Sequence, residues 1–100
     1  PAINDSVNYK IYMAAGTYTL NEMHAKDTNQ GIATFKIDGT TIAAIDHYAG
    51  GSALNQLGIA TGIVIATSGL KTLNIIAASK NASSTDYLLI LQSLSFYRTA

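Results

Sequence analysis

Three stretches of the chain are apolar on both faces of a would-be strand: Gly62-Ile63-Val64-Ile65-Ala66, Asn74-Ile75-Ile76-Ala77-Ala78 and Tyr87-Leu88-Leu89-Ile90-Leu91. Successive side chains of a strand point to opposite sides of the sheet, so a strand with one wet face alternates apolar with polar. These runs do not alternate. A chain of 100 residues builds one domain, with one core and outer faces that belong in water. The doubled runs therefore predict that another protein covers one outer face. The expected partner is a second copy of the chain, with a trimer favoured and Ile63, Ile65, Ile76, Leu88 and Ile90 at the interface.

Charge narrows the function classes. Charged residues make up 12% of the chain, and six basic residues cancel six acidic ones. Soluble chains carry about 25%. There is no electrostatic footprint for nucleic acid or for an anionic membrane surface. No run reaches the ~18 apolar residues of a membrane helix, so no membrane insertion is expected. The absence of cysteine excludes disulfides and thiolate metal sites and favours folding inside a cell. No signal peptide is read at the start. The chain is either a whole small protein lacking its initiator Met or a domain cut from a longer one.

Thr, Ile, Val and Tyr dominate, and glycine or Asx residues punctuate short runs, which reads as all-β. Strands are expected at about 7–13, 17–25, 32–37, 40–48, 57–66, 70–78 and 86–98, the last broken near Gln92-Ser93. A helix over 81–92 is the competing reading, but Tyr87 to Leu91 lack a 3.6-residue period. Asp38-Gly39 between two β runs predicts a two-residue type I′ hairpin turn, because both positions need positive φ. Ala15-Gly16-Thr17-Tyr18-Thr19-Leu20-Asn21 echoes Ser68-Gly69-Leu70-Lys71-Thr72-Leu73-Asn74, two similar strand openings that suit a two-sheet sandwich. The expected fold is a single antiparallel β-sandwich domain over 1–100.

Four segments carry a resemblance: Gly16-Thr17-Tyr18-Thr19-Leu20, Phe35-Lys36-Ile37-Asp38-Gly39-Thr40, Ile45-Asp46-His47-Tyr48 and Gly69-Leu70-Lys71-Thr72-Leu73-Asn74-Ile75. Together they resemble the galactose-binding-like jelly-roll sandwiches, of which family 6 and family 35 carbohydrate-binding modules are members. The resemblance spans about residues 14 to 97 and implies a jelly-roll of about seven or eight strands. Small sandwiches low in charge and rich in Ala, Thr and Asn also occur in bacteriophage spikes, fibre tips and capsid decorations, and the chain resembles those. Two departures count against carrying over the family's sites. There is no Trp to stack a sugar, and Gln92-Ser93-Leu94-Ser95-Phe96 offers no carboxylate for a structural calcium.

No constellation points to catalysis. Ser52 follows Gly50-Gly51 without a Gly-x-Ser-x-Gly motif. Asp46 and His47 are adjacent in a strand and point to opposite faces, so they form no triad with Ser52. No carboxylate pair stands out among Asp5, Glu22, Asp27, Asp38, Asp46 and Asp86 for glycoside hydrolysis. Asp46-His47 and Glu22-x-His24 could supply some of the ligands of a zinc ion, but no recognised spacing appears, and each histidine reads as a strand-end residue with a local partner. Glu22 shares a strand face with Tyr18, Leu20 and His24, where an apolar residue is expected. A bulge that turns Met23 inward, or exposure at the strand end, is the expected resolution, and pairing with His24, Lys or Arg the alternative. Asn81-Ala82-Ser83 matches a glycosylation acceptor by accident. A sugar platform, if present, belongs at Tyr48 and the Gly50-Gly51 loop.

The residues and the resemblance together predict a non-catalytic virion structural or adhesion protein that binds other virion proteins or a host surface glycan. No cofactor is implied. The alternative is an extracellular carbohydrate-binding module appended to a larger enzyme.

Overall fold

The computed structural model describes residues 3–100. Seven strands run β1 (Ser6–Met13), β2 (Gly16–Lys26), β3 (Ile32–Ile37), β4 (Thr40–Asp46), β5 (Ala53–Ile65), β6 (Gly69–Ser79) and β7 (Ile90–Arg98). They form two antiparallel sheets, β1-β6-β3-β4 and β5-β2-β7. This is the all-β sandwich of jelly-roll type that the sequence predicts. Leu20, Phe35, Leu73 and Ile75 fill the space between the sheets with Ile63, Ile65 and Met13. No helix forms at 81–92. The chain there is an irregular connection, and β7 starts only at Ile90.

The Asp38-Gly39 turn forms as expected. Asp38 and Gly39 have φ of 48° and 85°, and Ile37 pairs with Thr40 across them. The two similar strand openings start β2 and β6, one in each sheet. They touch, because the Ala15 N–H donates to Ser68 Oγ at 2.8 Å.

Two glycine- and Asx-centred irregularities reset the phase of β5. Gly62, at φ 68°, lets β5 bulge by one residue, with Thr61 and Gly62 opposite Thr19 between the Tyr18–Ile63 and Leu20–Ala60 pairs. Asn55, at φ 56°, marks a second shift near His24. On the other side of β2, Gln92 bulges out of β7 between the partners of Met23 and His24, at the break the sequence suggests. The two bulges are tied together. Gln92 Oε1 accepts from the Asn55 N–H at 2.8 Å, and Gln92 Nε2 donates to Asn55 Oδ1 at 2.9 Å.

The doubled apolar runs resolve differently from the expectation. The bulge at Gly62 turns Ile63 and Ile65 into the core, so they are not outer-face residues; Val64 points out, 71% exposed. Ile76 is half-buried on an outer face of mixed character, where Asn8 pairs with Asn74, Lys10 with Thr72, and exposed Tyr12 with exposed Leu70. Leu88 lines a hollow beside Leu89 and Leu91, and Ile90 is exposed at the start of β7. The outward apolar row lies on β5 instead, at Leu57, Ile59 and Val64. Strands β1 and β7 each form one edge of their sheets and flank two apolar hollows of about 260 and 270 Å³.

Candidate functional site

Strand β2 is the centre of its sheet and alternates from Leu20 to His24, placing Tyr18, Leu20, Glu22 and His24 on the buried face. Glu22 is fully buried. The expected bulge in β2 is absent: the shift after Met23 takes its extra residue, Gln92, from β7, so β2 keeps its phase and Glu22 stays inward. Opposite Glu22 on β5 stands Gly58. A Cβ at Gly58 would lie 3.0 Å from Glu22 Oε1 and 2.8 Å from Ile45 Cγ2, so the missing side chain makes room for the carboxylate.

Both histidines of the chain close on this carboxylate. His24 Nδ1 is hydrogen-bonded to Glu22 Oε1. His47, reached from the end of β4, places Nε2 2.6 Å from Oε2. The two imidazoles stack face to face, with centroids 3.9 Å apart and planes within 3° of parallel. An ionised carboxylate only accepts hydrogen bonds, so against an ionised Glu22 each facing nitrogen is the donor. The far nitrogens, His24 Nε2 and His47 Nδ1, are buried without partners. They are then bare acceptors. Burial is the main reason His24 is held below its ordinary pKa of 6.5; the neighbouring His47 adds to the effect, and Glu22 opposes it.

Glu22, His24 and His47 are three ligand types that could hold a metal ion, with donor atoms within 4.8 Å of one another. Their arrangement does not fit one. An imidazole binds an ion along its nitrogen lone pair, in the ring plane, and two stacked parallel planes share no such point. A metal-bound histidine also donates its other N–H to an acceptor, and here both far nitrogens lack one. The cluster is a hydrogen-bonded, ring-stacked clamp, and its geometry does not suit a metal centre.

The clamp lies under one end of the sandwich, where three connections meet: 27–31, 47–52 and 80–89. The His47 N–H donates to the Gly31 carbonyl at 3.1 Å, and the His47 carbonyl accepts from the Asp27 N–H at 3.3 Å. The Asp27 carbonyl accepts from Ala49, and Asp27 Oδ2 accepts from Ser52 Oγ at 2.7 Å. The Ser52 hydroxyl first, and the Thr28 amide next, hold Asp27 below the usual carboxylate range. Ser84 is buried, with Oγ 2.6 Å from the Gln30 carbonyl. Asp46 accepts from the Tyr48 N–H and from Asn81 Nδ2.

Tyr48 is half-buried beside this network, paired with Asp27 in a short parallel bridge rather than ending β4. Gly50 and Gly51 are exposed, with nothing within 4 Å of a would-be Cβ. The expected platform residues are thus neighbours on an open surface. Asp46, His47 and Ser52 do not assemble into a triad, since Asp46 and Ser52 are engaged elsewhere and His47 faces Glu22. The sequence does not reveal the clamp as a unit: it suggests the pairing of His24 with Glu22, but His47 lies 25 residues from Glu22 and carries no spacing signal.

No family model matches the chain, and a search of curated proteins found no match. Solved structures do match. One is a Paenibacillus xanthan lyase, at TM-score 0.80 and 28% identity over 98% of this chain. The match covers 10% of the lyase, so the chain corresponds to a small segment of that protein. Another is the CBM36-1 domain, a carbohydrate-binding module, of a multidomain xylanase from the hindgut metagenome of Trinervitermes trinervoides. It aligns at TM-score 0.70 and 20% identity, covering 99% of this chain and 75% of that domain. The likeness shows the same all-β sandwich fold as that carbohydrate-binding domain. It lends no support to the virion reading.

Proposed function

We propose that the chain is a non-catalytic carbohydrate-binding module of a larger polysaccharide-active protein. One observation carries the reading: the whole sandwich aligns with a carbohydrate-binding domain of a xylanase and with a segment of a xanthan lyase. The loop end supports it. Buried hydrogen bonds hold the backbone there, and Tyr48 sits beside two open glycines that let a ligand approach the main chain. The engaged state of Asp27 and Asp46 suits a surface that binds rather than one that transfers protons.

Affinity electrophoresis in gels cast with xanthan, xylan or a neutral glucan tests this. Retardation in at least one gel is expected, and Tyr48→Ala should weaken it several-fold by removing a stacking ring. No retardation in any gel overturns the reading. Retardation that survives Tyr48→Ala keeps the reading and moves the site away from Tyr48.

A further inference from the structure

We propose that Glu22 is a positioning residue for the loop over 47–52, holding it from beneath through His47. The inference rests on the carbohydrate-binding reading, because this loop carries Tyr48.

The argument starts from the placement of a charge. Glu22 lies on the central strand of its sheet, hydrogen-bonded along both edges, where a leucine would fill the core at no electrostatic cost. A buried ionic cluster is weak as a source of stability, and its best-attested use is to fix one arrangement among several. Here the arrangement is that of a loop. His47 is the first residue after β4, and its Nδ1 has no partner, so its side-chain hydrogen bonding runs through Nε2 to Glu22. Its own N–H and carbonyl then fix Gly31 and Asp27, and Asp27 fixes Ala49 and Ser52. A connected set of bonds therefore runs from the Glu22 carboxylate to the loop surface. His24 completes the clamp by stacking on the His47 ring, which stops that ring from tilting away. Gly58 leaves the carboxylate the space it needs.

Amide hydrogen exchange tests the clamp without any sugar, so its failure is separate from failure of the binding reading. The variants are Glu22→Leu, His47→Leu and His47→Gln, with the Leu20 and Phe35 amides as the core reference. Removing the clamp should speed exchange at His47 and Ala49 about ten-fold more than at the core, as a local opening does. His47→Gln returns an N–H to the carboxylate and should restore most of the protection. Parallel acceleration of loop and core amides, or no rescue by glutamine, overturns the proposal. The unsubstituted chain gives a second readout. Its imidazole ¹⁵N spectrum should show the Nε2–H tautomer at His47 and the Nδ1–H tautomer at His24, and the opposite pattern at His47 also overturns it.

Discussion

Glu22 and Gly58 face each other across β2 and β5, and the side chain absent from one is the space occupied by the other. A methyl at position 58 would meet Ile45 Cγ2 and Cδ1 at 2.8 and 2.9 Å as well as the carboxylate at 3.0 Å. Gly58→Ala should therefore destabilise the fold by about 1–3 kcal/mol, the usual range for overpacking. Urea unfolding of variant and parent measures it. Equal midpoints would show that Ile45 and Glu22 yield without cost.

The clamp also sets a pH dependence. His24 is held below its ordinary pKa of 6.5 in the folded chain, so below that pH the unfolded chain binds more protons. The stabilisation is complete above 6.5 and falls as the pH drops through the window beneath it. The charged or titratable groups in contact with His24 in the clamp are Glu22 on its own strand and His47 from the end of β4. Denaturant midpoints should decline from pH 7.5 to about 5.5, before ordinary carboxylates near pH 4 begin to titrate. Replacing His24 with Gln should flatten that decline. A midpoint that rises on acidification would contradict the assignment.

Position 39 tests the hairpin. Gly39 has φ of 85° and open space around its Cβ position, so any penalty there is a backbone one. A β-branched valine resists the left-handed region, and Gly39→Val should lose about 1–2 kcal/mol. Chemical denaturation reads the difference directly. An unchanged midpoint would mean the turn tolerates another geometry.

Ser84 tests the loop network. Its buried hydroxyl lies closest to the Gln30 carbonyl, and Ser84→Ala leaves that acceptor without its donor. A loss of about 1–3 kcal/mol is expected from an unsatisfied buried group. Thermal unfolding of the two proteins side by side checks it, and an unshifted transition would show that the hydroxyl is dispensable.

The strands and the Asp38-Gly39 turn were legible because they rest on local physics: β-branched composition, period-two patterning and the positive φ of two residues. The doubled runs were legible as runs but not as faces. Whether Ile63 or Val64 points inward depends on the Gly62 bulge, and an isolated glycine in a strand does not say which way the phase resets. Ile76 and Leu88 looked equivalent to Ile63 in the sequence. One lies half-buried on an outer face and the other lines a hollow, because their positions depend on strand neighbours and on the connection before β7. By itself the sequence determined the fold class, the main hairpin, the lack of a charged surface for nucleic acid, and the anomaly of a glutamate on an apolar face. Only the tertiary structure decided what that glutamate does. It is buried because β2 is central, tolerated because Gly58 opposes it, and paired because the end of β4 carries His47 back across the sandwich.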